Sequence, residues 1–152
     1  MDAEKLKEKI LELVPDAQQE ENKQFPTFLI PAGNLKVLAT HLKEDKELDF
    51  DYLFCLSGVD WGTELGVVYH LTSTTLKHSV ELKVKTENRE TPEFDTVADL
   101  WKSAEFFERE VWDLYGIRFT GHPDMRRIFL EEDWVGYPMR KDYTDEVNIV
   151  EL

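Results

Sequence analysis

Cysteine is nearly absent, with Cys55 the single example in 152 residues. One thiol excludes an internal disulfide, and it leaves an iron-sulfur cluster or a cysteine-rich zinc site without enough ligands from this chain alone. Cys55 lies in the apolar run FCLSGV, where a small packed core residue is expected rather than a reactive thiol. Long hydrophobic runs are missing too. None approaches the roughly 18 residues of a membrane span, and the opening MDAEKLKEKI is not a signal peptide. The chain is therefore expected in the cytosol unless a partner takes it to a membrane. Positive charge is also scarce: 18 Lys and Arg stand against 32 Asp and Glu, a net charge of -14. That balance excludes the cationic stripe a nucleic-acid partner requires. There is no GxGxxG, P-loop, HExxH or GxSxG, and Gly58 and Gly62 are too sparse to cradle a phosphate.

What is present suits one soluble domain, with 41% hydrophobic and 33% charged residues. Residues 3–13 read as an amphipathic helix capped by Asp2, with Leu6, Ile10 and Leu13 as its stripe and Pro15 as its stop. The polar DAQQEENKQ reads as a loop. Phe25 to Ile30 reads as a strand which Pro26 assigns to a sheet edge. After Pro31-Ala32-Gly33-Asn34 a second helix buries Leu35, Leu38, Ala39 and Leu42.

Three strands follow. YLFCLSGVDW, from Tyr52 to Trp61, is apolar enough for a central strand covered on both faces. Leu65 to Ser73 comes next, then Leu76 to Lys85, whose strict alternation puts one face on a core and one in water. Thr74-Thr75 is short enough for the hairpin between them. That register would set His70 and His78 on different faces, as structural histidines rather than metal ligands. The element order predicts an α+β fold: an antiparallel-rich sheet with helices packed on one face, and an extended C-terminal arm. A core domain over 1–120 and a docking arm over 121–152 divide the chain, with the last ten residues ordered by a partner.

The segment from Glu108 to Asp142 concentrates charges, aromatics and turn residues. Thr96 and Asp99 resemble a capping-box start, and Gly116, followed by Ile117, supplies a left-handed stop, so a helix is expected from about 97 to 115. On its wheel Glu108 falls among apolar residues. It is expected to be held by Arg126 or Arg127, because a carboxylate buried alone costs several kcal/mol. Glu105, Arg109 and Asp113 are expected to form a surface ladder. Trp112, Tyr115, Phe119, Trp134, Tyr137 and Tyr143 alternate with Arg118, Arg126, Arg127 and Arg140, the residue types that dominate binding hot spots. An acid-base site using Glu108, Glu110, Asp113, His122 and Asp124 is the competing reading, weakened by their placement on different helix faces and a turn.

These residues also carry a resemblance. Glu108-Arg109-Glu110, Asp113-Leu114-Tyr115-Gly116-Ile117, Phe119, Gly121-His122-Pro123-Asp124, Arg126-Arg127-Ile128, Trp134, Gly136, Pro138 and Arg140-Lys141-Asp142, together with LSGVDW, resemble the 30 kDa (C-type) subunit of respiratory complex I. Tyr137 stands where that family pattern has histidine, and Met139 where leucine is usual. The resemblance implies a cofactor-free peripheral-arm subunit of NADH:quinone oxidoreductase at the cytoplasmic face of the membrane. It implies docking on the quinone-site subunit, with NADH, FMN, iron-sulfur clusters and quinone held by partner subunits. Arg126, Arg127, Arg140 and Lys141 are then expected as charged contacts, and His122-Pro123 as the residues that fix the turn. Related ferredoxin- or deazaflavin-dependent complexes and membrane-bound hydrogenases use similar subunits.

Overall fold

In the computed structural model, which describes residues 3–144, the chain forms three helices on one side of a five-stranded sheet. Helix α1 spans Ala3–Leu13 and buries Leu6 and Ile10. Leu13 is only partly buried, and Val14 completes the stripe. Asp2, the expected cap, and residues 145–152 of the expected partner-ordered tail lie outside the described residues. Helix α2, Leu35–Glu44, buries Leu35, Leu38, Ala39 and Leu42, the four residues its spacing selects.

The sheet contains β1 (Gln18–Glu20), β2 (Thr27–Leu29), β3 (Tyr52–Asp60), β4 (Leu65–Thr72) and β5 (Ser79–Thr86), in the order β1-β2-β5-β4-β3. Two positions differ from the sequence reading. Strand β2 is internal rather than at an edge, because the presumed loop contributes β1 antiparallel on one side while β5 pairs parallel on the other. Pro26 is tolerated because it sits just before the strand, where only its carbonyl is used, accepting from the Glu81 amide at 2.9 Å. Strand β3 is an edge strand rather than a central one. Its apolar character comes from cover on its two faces. Leu53 and Leu56 enter the core, and Phe54 packs against Phe25 and His70 with centroids 6.1 and 5.6 Å away.

The alternation expected in β5 holds for Val80, Leu82 and Val84, all buried, but Glu81 on the other face is buried as well. It binds His70 Nε2 at 3.1 Å and accepts from the Asn22 amide at 3.2 Å. The β4–β5 connection is longer than the expected two-residue turn: Thr72 faces Ser79, and Leu71 faces Val80. His78 sits in that connection with Nε2 2.5 Å from the Leu48 carbonyl, so the two histidines are engaged separately.

The long helix also starts later than its periodicity suggests. Helix α3 spans Ala104–Tyr115, and residues 97–103 form turns. Long-range bonds select this path. The Trp101 indole donates to the Phe50 carbonyl at 2.9 Å and the Ser103 hydroxyl to the Leu53 carbonyl at 2.8 Å, drawing the segment across the ends of the sheet. Before and after it, β6 (Glu93–Asp95) and β7 (Arg118–Thr120) pair parallel in a two-stranded sheet that pattern reading missed. Gly116 closes α3 in the left-handed region at φ 71°, as expected, and Ile117 is buried behind it. A Cβ there would also stand 2.5 Å from the Tyr137 ring. Gly116→Ala is therefore expected to destabilise the protein by about 2 kcal/mol, readable as a shift in a urea unfolding midpoint.

Candidate docking surface

Helix α3 presents two different buried carboxylates. Glu108 faces the sheet core, fully inaccessible, and accepts from the Thr96 hydroxyl and from the Val97 amide at 2.9 Å. The expected clamp to Arg126 or Arg127 does not form. The carboxylate closes the start of the 97–101 turn instead, so the acid joins helix to turn within the core. Burial pushes its carboxyl up to about 7, against the lowering effect of those two hydrogen bonds.

Asp113 is the residue that holds the arm. It also has no accessible surface, and the surface ladder with Arg109 is absent. Its Oδ2 accepts from three successive amides, Ile128 at 3.2 Å, Phe129 at 2.7 Å and Leu130 at 3.1 Å. Its Oδ1 takes the Arg127 guanidinium at 3.1 Å. Burial alone would raise this carboxyl, but the Phe129 and Leu130 amides, Arg127 and the Ile128 amide together hold it below the usual range. Arg109 turns to the arm as well, donating to the Arg126 and Arg127 carbonyls at 3.2 and 3.0 Å.

Arg127 and Arg140 fix the arm's return path. Arg127 donates to the carbonyls of Asp113, Trp134 and Gly136 at 3.0 to 3.1 Å. Arg140 donates to the Tyr115 carbonyl at 2.6 Å and the Arg89 carbonyl at 2.8 Å. Both guanidinium carbons lie 5.1 Å from the Tyr137 ring centre, a double cation-π arrangement, and Trp112 packs against the same ring at 5.6 Å. A second carboxylate completes the anchorage. Asp60, at the end of β3, is gripped by both Arg89 nitrogens at 2.8 Å and accepts from the Lys141 amide at 2.9 Å. The Arg89 guanidinium holds it well below the usual carboxylate range despite burial. Asp142 lies 3.6 Å from the same arginine. Asp60 and Arg89 were missed as a pair, since one ends an apolar run and the other lies in a polar loop. The acid within LSGVDW was the available signal.

The remaining motif residues are placed as follows. His122 Nε2 meets the Glu105 carbonyl at 2.9 Å while Nδ1 accepts from the Asp124 amide at 2.9 Å, which selects the neutral tautomer with the proton on Nε2. The ring pins the turn that Gly121, at φ 87°, and the exposed Pro123 begin. Arg126 forms a forked pair with Asp124 at 2.7 and 2.9 Å, and both side chains remain largely exposed. Lys141 and Asp142 are exposed, Glu110 and Trp134 half-buried. Glu108, Asp113 and His122 are bound to three different sets of partners and share no reaction centre. Among the described residues no group of three or more His, Cys, Asp or Glu side chains could hold a metal, and no helix is long and apolar enough to cross a membrane.

Beside these charged side chains, the framework leaves large apolar ones outside. Phe106 is 62% exposed, Phe129 65%, Val135 88% and Met139 52%, so α3 and the arm carry four large hydrophobic side chains in water on a tightly bonded backbone.

Comparison with known proteins places the chain in a family. The model of the family described as respiratory-chain NADH dehydrogenase, 30 Kd subunit, matches residues 28–147. The C/D subunit of the NADH-quinone oxidoreductase of Phocaeicola vulgatus is 55% identical over 120 residues, covering 78% of this chain and 23% of that protein. The C-type subunit of the NADH-quinone oxidoreductase of Chloroherpeton thalassium is 45% identical over 141 residues, 91% of this chain and 58% of that protein. The chain thus spans about a quarter of the length of the C/D relative and somewhat over half of the Chloroherpeton protein. A chain in the structure of the membrane-bound sulfane sulfur reductase, an archaeal respiratory membrane complex, superposes with TM-score 0.78 at 27% identity, over 95% of this chain and 86% of that one. The chain belongs to the family of the 30 kDa subunit of respiratory-chain NADH dehydrogenase.

Proposed function

We propose that this chain is a cofactor-free peripheral subunit of an ion-translocating NADH:quinone oxidoreductase, held at the cytoplasmic face of the membrane by the complex. It docks on the subunit that forms the quinone pocket. NADH, FMN, the iron-sulfur clusters and quinone are bound by partner subunits, and the chain has no reaction of its own. Family membership supports the assignment, and one observation carries the docking: Phe129 and Val135 are exposed on an arm fixed by the buried Asp113 and Asp60 pairs. Large apolar side chains on a preorganised backbone are what a binding hot spot requires. In this reading Arg126, Lys141 and Asp142 form the charged rim, whereas Arg127 and Arg140 act indirectly by holding the arm.

The test is co-purification with the quinone-site subunit. Phe129→Glu or Val135→Glu is expected to weaken the complex by about 30-fold, with thermal unfolding of the isolated chain unchanged because both side chains are exposed. Undiminished binding by both variants would overturn the docking role. The likeness to the sulfane sulfur reductase chain favours a second reading, an equivalent subunit of a related complex with another electron donor. NADH oxidation by the complex purified through this chain decides between the two.

A further inference from the structure

The free edge of β3 has an open stretch in its middle. The Trp61 amide donates to the Glu64 carbonyl at 2.9 Å, which makes 61 and 64 a hydrogen-bonded pair across the β3–β4 hairpin. Bonding then alternates along an antiparallel ladder. Cys55, Ser57 and Val59 direct their N–H and C=O groups to β4, and Leu53, Leu56, Gly58 and Asp60 direct theirs outward. The Ser73 amide bonded to the His78 carbonyl sets the opposite phase on β4, as a strand paired on both sides requires.

Both ends of this edge are already occupied. At one end the Ser103 hydroxyl takes the Leu53 carbonyl at 2.8 Å, next to the bulge between Leu53 and Cys55. At the other, Lys141 of the arm lies on Asp60. Between them, the amides and carbonyls of Leu56 and Gly58 have no partner among the described residues. They border a cavity of about 160 Å³ lined on its other sides by Glu110, Val111, Leu114, Tyr115 and Met139, with the Tyr115 ring against Gly58. Beyond the bulge the strand lacks two usual protections of an edge: Tyr52–Asp60 contains no lysine or proline, and its one charge, Asp60, is neutralised by Arg89.

We propose that this window is a strand-addition site, which an extended segment of a partner subunit enters to pair with Leu56 and Gly58. The unpaired peptide groups specify a polypeptide in β conformation rather than a small molecule. The cavity beside them takes one aliphatic side chain of valine or leucine size, and Glu110 at its wall selects a lysine or arginine next in the segment. The exposed side chain of Met139 closes over the inserted residue, making the window continuous with the arm's apolar surface. The inference deepens the docking role and rests on it: the arm supplies the apolar anchors, and β3 supplies backbone pairing that fixes orientation.

Residue-resolved amide hydrogen exchange on the free chain and on the purified complex tests it. In the free chain the Leu56 and Gly58 amides are expected to exchange rapidly while those of Ser57 and Val59 are protected. Assembly is expected to slow Leu56 and Gly58 by about 100-fold, and Glu110→Lys to weaken the complex about fivefold. If the arm and α3 become protected on assembly but Leu56 and Gly58 do not, docking stands and strand addition is overturned. If the chain does not assemble at all, the docking role itself fails. Protection of both amides in the free chain also overturns the proposal. When that protection rises with protein concentration the occupant is a second copy, and when it does not the edge is closed by the chain itself.

Discussion

Asp113→Ala is expected to destabilise the protein by about 4 kcal/mol, because it strands a buried guanidinium and three amides at once. The carboxylate is fully inaccessible and the Arg127 side chain only 9% exposed, so water cannot replace the lost partner without opening the arm. A urea midpoint measured on the isolated chain reads the effect. The fluorescence of Trp112 and Trp134 should change with it, since Trp112 packs on Tyr137 of the arm and Trp134 belongs to the part of the arm that Arg127 ties down. Arg127→Ala should also be severe, leaving the buried carboxylate without its counter-charge and with only the Ile128, Phe129 and Leu130 amides, and the double variant should lose much less than the sum of the two. Arg127→Lys should not rescue, because one ammonium cannot reach Asp113, Trp134 and Gly136 in the planar fork that guanidinium provides. A loss below about 1 kcal/mol for Asp113→Ala would show that the arm is held by something else. The pH dependence follows from the direction of the shift. A carboxyl held below its ordinary range stabilises the fold above the unfolded value near 4, and that contribution disappears as pH falls through the folded value.

How much of this was legible in sequence varied with how local each cause was. Helix α2 was legible because Leu35, Leu38, Ala39 and Leu42 repeat at helical spacing, and Gly116 because a left-handed stop has few other occupants. The segment from Glu108 to Asp142 stood out in sequence through its density of arginines and aromatics and through its family resemblance. Its wiring was not. Glu108 and Asp113 are both acids on one helix, and a helical wheel gives no reason for one to cap a turn behind it and the other to gather amides ahead of it. That choice depends on where residues 96–97 and 127–130 lie in space, which α3, the sheet and the turn at His122 decide jointly. The position of β3 was misread for a related reason. Apolar content reports how much of a strand is covered, and cover by α3 and an aromatic cluster resembles cover by neighbouring strands. Strand β1 escaped because three polar residues, Gln18–Glu20, pair with β2 through backbone and leave no apolar periodicity.

The arm's anchors and the core acid respond to pH in opposite senses, which makes Glu108 separately testable. A carboxyl raised from its ordinary value of 4.5 to about 7 binds more protons folded than unfolded between those limits. Stability should therefore fall as pH rises from 4.5 to 7, by about 3 kcal/mol in all, and then level off. Glutamine at this site can keep the geometry, its carbonyl accepting from the Val97 amide and its amino group donating to the Thr96 hydroxyl. Glu108→Gln is thus expected to exceed the parent protein in stability by about 3 kcal/mol at pH 8 and to match it near pH 4.5. The buried hydroxyl of Tyr69 has no hydrogen-bond partner among the described residues, so it offers the charge no relief. Urea unfolding of both proteins across that pH range reads the difference. Equal stability at pH 8 would mean that Glu108 is ionised at little penalty, with Thr96 and Val97 compensating the charge in full. A fall in stability for the glutamine variant at every pH would mean that the charge itself joins α3 to the turn. The expected pattern leaves the acid as a neutral connector whose ionisation loosens the contact between α3 and the β6–β7 pair, while Asp113, already fully compensated, keeps the arm in place.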